Sequence, residues 1–397
     1  MPPDPDPRRA RRPVAITGIG CLGAPGLGVD RQFAALSAGA SCLSTWVHPS
    51  LPLAATVPIG RVAQDIPHIP SRSAALALCA AREALADARI APTARGDIGV
   101  VVGTCTAGLP ESEADYLTLG PEAPSENYRR QQAHRTTQVV ARMTRCDGPQ
   151  STHTVACASA AAAIIEAVEL VRSGTCAVVL VVGADAMTRV TMSGFTSLQL
   201  VDGQGCRPLI LERNGMSLGE GAGALVIEDP EHARRRGATV VASIVGWGMR
   251  ADGYHVTSPD PTGAQLSRAL TDALADGGVG AGEVGYVSAH GTGTKDNDGC
   301  ETQTLSRMFG AVPTASWKRT YGHTMGACAA IEAVGCCLAL RHQTILPSAG
   351  SDDGTPLGGV EVVRAQRSGR LDVVCSTTLA FGGVNAAILF ATSGRCG

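Results

Sequence analysis

A cysteine in a stretch of very small residues is the first candidate for chemistry in this sequence. Cys157 lies within positions 154–160 (TVACASA), where a strand-like segment gives way to an alanine-rich, helix-forming one. The thiolate is the reactive form of cysteine, and a helix N-terminus stabilises negative charge and lowers the pKa of a thiol. Small neighbours such as Ala156 and Ala158 leave room for a thioester. The pattern predicts a nucleophile at Cys157, although a buried structural cysteine, which we expect for most of the other cysteines, is the alternative interpretation.

Two histidines stand in glycine-containing motifs in the second half of the chain. His290 belongs to AHGTGT at positions 289–294, and His323 belongs to KRTYGHTMGA at positions 318–327. A histidine followed by glycine and two threonines suits a tight loop that grips a carbonyl or an amide of a substrate. Taken alone, AHGTGT is more typical of a core histidine followed by a polar turn.

The chain strongly favours arginine over lysine. Of the 33 basic residues, Lys295 and Lys318 are lysine, which leaves 33 − 2 = 31 arginines. Lysine and arginine differ where a compact ammonium group must fit beside a carboxylate. A lysine retained five residues before His323 therefore indicates more than a solvated charge, although Lys295 shows that the bias is not absolute.

Short apolar runs, most of them bounded by glycine, alternate with helix-forming segments. Such runs are typical of strands that are buried on both faces. We predict strands at 13–18, 98–103, 177–183, 284–289, 373–377 and 386–390, and helices at 73–88, 158–173 and 327–341. The alternation predicts an α/β fold around a buried sheet.

Length and composition bound the function. The chain has 397 residues, 44% hydrophobic and 17% charged, and its net charge of −2 favours neither nucleic acid nor acidic membranes as a partner. Its 14 cysteines are scattered without a CxxC pair, and the polar, proline-rich beginning is unlike a signal peptide. No run of 18 residues is apolar and free of charge and helix breakers, so we expect a cytoplasmic protein without a membrane span.

The division of the chain follows from charge and proline content. Residues 1–12 are predicted to be a disordered tail, and the basic stretch at 234–237 (RRRG) is a plausible seam between two lobes. We therefore predict an N-terminal half at 13–236 with the nucleophile, a C-terminal half at 237–392 with the two histidines, and a tail at 393–397.

Four motifs together resemble a known family. TVACASA, AHGTGT, KRTYGHTMGA and FGGVN (381–385), in this order and spacing, resemble the β-ketoacyl-ACP synthases of the elongating Cys-His-His type, where ACP is acyl carrier protein. GEGAG at 219–223 and ADGYHVTSP at 251–259 extend the resemblance, which runs from about Pro13 to Thr392. It implies a thiolase fold, layered α-β-α-β-α from two similar halves with buried mixed sheets.

The resemblance also implies a reaction, the decarboxylative Claisen condensation of an acyl chain with malonyl-ACP. Cys157 would accept the acyl chain from ACP as a thioester. His290 and His323 would bind the thioester oxygen of the malonyl unit and stabilise the enolate left by loss of CO2. Lys318 would pair with Glu301 and thereby fix His323.

Further roles are implied around these groups. The backbone N–H groups of Cys157 and Leu379 would form the oxyanion hole. Glu332 is expected to satisfy backbone groups inside the fold without a catalytic role. The phosphopantetheine arm would contact Thr257, Thr292 and Thr294, and the acyl pocket and its gate would contain Phe195, Leu379 and Phe381. The expected partners are ACP and a second subunit, which is either an identical chain or a related ketosynthase or chain-length factor. We expect no metal and no cofactor beyond the phosphopantetheine of ACP. We expect neither nucleic acid nor a membrane as a partner.

Several positions depart from the family pattern. Leu379 and Ala380 replace a Phe-Gly pair before FGG, Val384 replaces a threonine or histidine, positions 207–210 read RPLI instead of RPFD, and Ser288 replaces an asparagine. None of these changes removes a reacting group. Together they favour a synthase of specialised metabolism, such as a type II polyketide or polyene pathway.

Three other functions of thiolase-fold proteins are alternatives. One is an acyltransferase or decarboxylase that forms no carbon–carbon bond, which the altered gate favours. Another is a chain-length-factor-like partner subunit, although such subunits usually lack the nucleophilic cysteine. A CoA-dependent thiolase needs a second cysteine as base, and neither Cys375 nor Cys396 has a matching context.

Overall fold

The computed structural model describes residues 12–46, 57–120, 122, 125–350 and 354–396. Apart from Arg12, the predicted tail at 1–12 lies outside these residues. Ser393–Cys396, within the segment predicted as the second tail, forms a short 3-10 helix.

Sixteen strands occur in the described residues. They are β1 Val14–Gly23, β2 Gly26–Leu27, β3 Ser44–Trp46, β4 Val57–Ile59, β5 Gly99–Gly103, β6 Gln150–His153, β7 Val178–Asp185, β8 Gly221–Glu228, β9 Ala242–Ala251, β10 Val284–Ser288, β11 Pro313–Ala315, β12 Thr344–Ile345, β13 Glu361–Val362, β14 Arg367–Ser368, β15 Val373–Leu379 and β16 Val384–Ala391. Twelve of them form one mixed sheet in the order β13-β11-β10-β15-β16-β9-β1-β8-β7-β5-β6, with β2 paired to β1.

Twelve α-helices accompany these strands in the same part of the chain. They are α1 Val29–Ser37, α2 Arg72–Asp87, α3 Leu109–Leu119, α4 Glu126–Arg130, α5 His134–Thr144, α6 Ser159–Arg172, α7 Arg189–Ser197, α8 Pro230–Arg235, α9 Ala264–Gly277, α10 Lys295–Phe309, α11 Lys318–Tyr321 and α12 Cys328–His342. All the strands and helices predicted from the sequence are present, with shifted ends.

The sheet consists of two similar halves. In the first, β6, β5 and β7 are parallel, and β8 and then β1 follow antiparallel. In the second, β11, β10 and β15 are parallel, and β16 and then β9 follow antiparallel. The strands occur along the chain in the same order in both halves, and β1 pairs with β9 at their junction. The topology therefore contains a duplication that is not apparent in the residues.

Helices complete the layers. The helices α6 and α12 contact each other and strands of both halves, while α2 covers the outer face of the first half and α9 that of the second. This arrangement is the α-β-α-β-α layering of the thiolase fold, as predicted. Apart from Glu332 and its last turn, helix α12 is apolar on all sides, as its position between two layers of strands requires.

One segment of the described chain is long and apolar enough to cross a membrane. It is Met325–His342, which has a mean hydropathy of 1.3, and 89% of it is buried inside the protein. The segment contains α12, so its composition is explained by its central position in the fold.

Candidate active site

Cys157 lies in a strained turn between β6 and α6. The preceding residue, Ala156, has a φ of +45°, in the left-handed region that non-glycine residues rarely adopt. The turn directs the Cys157 side chain into a buried position, where its Sγ lies 3.1 Å from Nε2 of His323. Helix α6 begins two residues later, at Ser159, one residue after the predicted start.

His290 follows β10, and a buried carboxylate fixes its loop. Glu301 on α10 accepts hydrogen bonds from the backbone N–H of His290 at 2.7 Å and of Gly291 at 2.8 Å. It also accepts one from the hydroxyl of Thr377 at 2.6 Å. Glu301 therefore positions the backbone that carries His290.

His323 comes from another loop and meets His290 beside the thiol. Its backbone N–H donates to the carbonyl of Ser217 at 2.7 Å, and its carbonyl accepts from Gly219 at 3.0 Å. The two imidazole rings lie 5.2 Å apart, centre to centre, and nearly perpendicular, at 86°. One donor atom from each of Cys157, His290 and His323 lies within 4.8 Å of the other two. The three groups can therefore contact one small reactant.

Burial sets the charge state of these groups. Burial, with the nearby Lys318 ammonium, holds the pKa of both imidazoles well below the usual value, so both are neutral near pH 7. Burial also raises the pKa of the Cys157 thiol to about 11, against the opposing effects of Lys318 and of backbone N–H groups. The pKa of Cys157 is thus raised overall, and not lowered as we expected, because loss of hydration outweighs the Lys318 ammonium and the backbone N–H groups.

The partner of Lys318 differs from the one expected. Its ammonium forms a buried ion pair with Glu332 and donates to the backbone carbonyl of His290 at 2.9 Å. Burial opposes the charge, but the Glu332 carboxylate raises the pKa of Lys318 overall. The predicted Lys318–Glu301 pair that fixes His323 is thus wrong, since Glu301 binds the loop N–H groups and Lys318 supports the other histidine, His290. Glu332, expected to satisfy backbone groups, holds the lysine.

The second backbone N–H of the oxyanion hole also differs from the one expected. Backbone N–H groups of Cys157 and Phe381 interact with the sulfur and lower its pKa. Strand β15 ends at Leu379, and the turn after it contains two consecutive glycines with positive φ, Gly382 at +84° and Gly383 at +80°. The donor that we assigned to Leu379 is therefore Phe381, two residues further along the loop.

A cavity of about 430 Å³ leads to the thiol. Nine of the predicted residues line it: Cys157, Phe195, Thr257, His290, Thr292, Thr294, His323, Leu379 and Phe381. The rings of Phe195 and Phe381 pack at 5.4 Å, and the hydroxyls of Thr292 and Thr294 hydrogen-bond at 2.9 Å. Lys318 and Glu301 lie behind this surface as supports.

Asp185 is a supporting residue that sequence reasoning missed. It is fully buried at the end of β7, and its carboxylate accepts hydrogen bonds of 2.7–2.9 Å from Thr104, Cys105, Thr106 and Gly326. It thereby ties the loop after β5 to the turn just after His323. The signal in the sequence was an acidic residue that closes an otherwise apolar strand.

We predict that Asp185→Asn lowers the free energy of unfolding by about 2–3 kcal/mol, because an amide presents its NH2 group to donors that need an acceptor. Urea denaturation measures the change. Asp372→Asn is the matched control, since Asp372 is 46% exposed and pairs with Arg370 at the surface. Equal midpoints for the Asp185 variant and wild type would contradict this role.

Comparison with known proteins places this geometry in context. The model of the β-ketoacyl synthase N-terminal domain matches residues 11–233, and that of the C-terminal domain matches residues 241–352. Nodulation protein E of Rhizobium sp. (strain N33) is 32% identical over 402 residues, which cover 96% of this chain and 99% of that protein.

Solved structures agree. The ishigamide ketosynthase/chain length factor matches with a TM-score of 0.90 and 31% identity, covering 97% of this chain and 100% of that one. A chain in the structure of a type II polyketide synthase acyl-carrier protein in complex with its ketosynthase, bound to the hexaketide, matches with a TM-score of 0.87 and 25% identity, covering 96% and 99%. The likeness extends over nearly the whole chain and includes both halves of the sheet.

Proposed function

Because the chain belongs to the β-ketoacyl synthase family and is an acyltransferase-class enzyme, we propose that it condenses an acyl chain on Cys157 with malonyl-ACP. The observation that carries this proposal is the convergence of one buried thiol and two neutral imidazoles on one cavity. Cys157 carries the acyl chain, His323 accepts the proton of the thiol, and both imidazoles then stabilise the enolate.

The first half-reaction transfers the acyl chain to the protein. The Cys157 sulfur attacks the acyl-ACP thioester while its proton passes to Nε2 of His323, 3.1 Å away. The N–H groups of Cys157 and Phe381 stabilise the tetrahedral oxyanion, and removal of one such donor typically costs about 10²–10³ in rate. The carbon–sulfur bond to the carrier then breaks, and the carrier thiol leaves with the proton.

The second half-reaction forms the carbon–carbon bond. After proton exchange with solvent, His323 carries its proton on Nε2, so both neutral imidazoles donate hydrogen bonds to the malonyl thioester oxygen and stabilise the enolate when the bond to CO2 breaks. The enolate carbon attacks the acyl carbonyl, the bond to Cys157 breaks to release a β-ketoacyl-ACP, and the Cys157 thiolate takes up a proton from solvent water to restore the thiol. The Lys318–Glu332 pair and Glu301 hold the loop of His290 in register for this step.

Incubation of acyl-ACP and malonyl-ACP with the purified enzyme tests this function. Intact-protein mass spectrometry of the carrier should show a β-ketoacyl product, and acyl chains of several lengths and degrees of unsaturation should be compared. A carrier that loses CO2 or exchanges acyl groups without elongation would instead support the acyltransferase or decarboxylase alternative.

We place the reaction in specialised polyketide or fatty-acid-like biosynthesis, with ACP as partner. The likeness to a ketosynthase solved with its type II polyketide carrier supports this, as do Leu379 and Ala380 before the FGG turn. Ordinary saturated medium-length acyl-ACPs as the best substrates would count against it. A cytoplasmic location is part of the proposal, supported by 13 cysteines that are free in the described part of the chain.

A second ketosynthase-like subunit is the proposed dimer partner. The likeness to the ishigamide ketosynthase/chain length factor supports it. The strand β6 is the last in the sheet, and no described strand covers its outer edge. A groove between α3 and α7 is lined in part by Leu109, Tyr116, Leu117 and Val190, and the last three of these side chains are each more than half exposed. Large exposed apolar side chains of this kind are typical of an interface.

We predict that Leu117→Arg weakens subunit pairing about tenfold or more, because a charge would then be buried in an apolar contact. Sedimentation equilibrium measures the dissociation constant. Leu211→Arg is the control, since Leu211 is 57% exposed, close to the 55% of Leu117, but lies in the loop between α7 and β8 and not on α3. Equal dissociation constants for the Leu117 variant and wild type would place the interface elsewhere.

The pH dependence of thiol reactivity is a further prediction. Because the pKa of Cys157 is raised to about 11, its thiolate fraction should grow about tenfold per pH unit through the neutral range. Iodoacetamide labelling of the Cys157 peptide, followed by mass spectrometry, measures the rate. A plateau reached by about pH 10, as expected for an unperturbed thiol with a pKa of about 8.5, would contradict the raised value.

A further inference from the structure

The three reacting groups are also an arrangement of soft metal ligands. A thiolate and two imidazoles are ligands that Zn²⁺ prefers. Typical bond lengths are about 2.3 Å for Zn–S and about 2.0–2.1 Å for Zn–N, so in a tetrahedral site the sulfur and a nitrogen lie about 3.6 Å apart. The observed Sγ–Nε2 distance between Cys157 and His323 is 3.1 Å, and His290 offers its donor atom within 4.8 Å of both. Cys157 and His323 would move apart by roughly half an ångström, and His290 would approach by at most roughly 1–1.5 Å, to place all three on one ion.

The cavity leaves a fourth position open. Cys157, His290 and His323 all line it, so an ion held between them would face a space that admits water. Three protein ligands and one exchangeable position is the usual composition of an accessible zinc site.

We propose that Cys157, His290 and His323 bind a thiophilic divalent cation such as Zn²⁺, and that occupancy reversibly inhibits the synthase. The binding site stands on the geometry alone, while the inhibition rests on the proposed function, because the bound ion occupies the sulfur that takes the acyl chain.

The surroundings of the three ligands weaken metal binding, so the inhibition is reversible. Metal-ligating histidines usually donate their second ring N–H to an acceptor, and loss of such a partner costs about 10–100-fold in affinity. In the described part of the chain, Nδ1 of His290 and Nδ1 of His323 have no hydrogen-bond partner. The Lys318 ammonium, 2.9 Å from the His290 carbonyl, adds repulsion. A chelator should therefore remove the ion.

A neighbouring group of potential ligands provides the control. His290, Cys328 and Glu332 also offer donor atoms within 4.8 Å of one another. Glu332 is already paired with Lys318, and the Cys328 thiol donates to the Cys157 carbonyl at 3.4 Å. Neither Cys328 nor Glu332 lines the cavity. An ion is accordingly expected on Cys157 and not on Cys328.

A titration with Cd²⁺ tests the site directly. Thiolate–cadmium bonds absorb in the ultraviolet, so the wild-type protein should gain this absorbance, Cys157→Ala should not, and Cys328→Ala should match wild type. His290→Asn and His323→Asn should each weaken binding at least tenfold. Retention of the signal in Cys157→Ala, or its loss in Cys328→Ala, would overturn the proposed ligand set.

Acyl transfer measured with and without Zn²⁺ tests the inhibition. Saturating Zn²⁺ should lower transfer from acyl-ACP to Cys157 at least tenfold, and EDTA should restore it. Full transfer at a Zn²⁺ concentration that displaces all bound Cd²⁺ would refute inhibition. A metal-free enzyme that never loads Cys157 would refute the proposed function instead, and the cadmium titration would still report on the site.

Discussion

Replacement of Cys157 by alanine should abolish loading of the acyl chain, with a loss of at least about 10⁴-fold in the rate of condensation. The sulfur is the atom that forms the covalent intermediate, and the two amides of the oxyanion hole and the two imidazoles all converge on it. Without the sulfur, these groups have no nucleophile to assist. Mass spectrometry of the intact enzyme after incubation with acyl-ACP measures the acyl adduct directly.

Cys336→Ala is the control for this experiment. Cys336 is fully buried in α12 but does not line the cavity, so its replacement should leave acyl loading unchanged. An acyl adduct on the Cys157→Ala enzyme, or unchanged condensation by it, would show that another residue carries the intermediate and would exclude the proposed mechanism.

The second large effect is expected at Lys318. We predict that Lys318→Met lowers the free energy of unfolding by about 3–5 kcal/mol, because it leaves the buried Glu332 carboxylate without a counter-charge. Both partners are nearly inaccessible, at 2% and 4% side-chain exposure, so water cannot compensate. Equilibrium denaturation in urea measures the change. The control is Lys295→Met, at the only other lysine of the chain, which is exposed; this substitution should alter the free energy of unfolding by less than about 0.5 kcal/mol.

A double variant separates the ion pair from its function. Lys318→Met with Glu332→Leu removes both charges, so most of the lost stability should return. Condensation should nevertheless stay low, because the carbonyl of His290 has still lost its donor. A double variant that remains as unstable as Lys318→Met would show that the penalty does not come from the unpaired carboxylate.

The fold class could be predicted because apolar runs and alanine-rich segments alternate clearly, but the element ends could not. We predicted a strand that ends at Gly18, whereas β1 continues to Gly23. The glycines are needed because α2 packs directly on the strand: a Cβ at Gly18 would lie 2.1 Å from the carbonyl oxygen of Ala84, and one at Gly20 would lie 2.2 Å from that of Ala80. A glycine that permits close packing and a glycine that ends a strand look the same in a sequence.

The site shows a similar division. The identity of Cys157, His290 and His323 could be predicted because their motifs, taken together in order and spacing, resemble a known family, although no single motif decides it. The supporting contacts could not, since they depend on three-dimensional proximity: two glutamates were available to Lys318, and the fold brings Glu332, not Glu301, to its ammonium. The contact between the backbone N–H of Phe381 and the Cys157 sulfur could not be predicted either, because the turn after β15 sets the direction of that N–H group.

The division of the reacting groups between the two halves of the sheet has a consequence for synthesis of the protein. The sulfur belongs to the half that leaves the ribosome first, and both imidazoles belong to the half that follows. Until the later half has folded against the earlier one, the cysteine lacks its catalytic neighbours and the amide of Phe381. We therefore expect a nascent chain to be unable to condense acyl groups until its second half has folded.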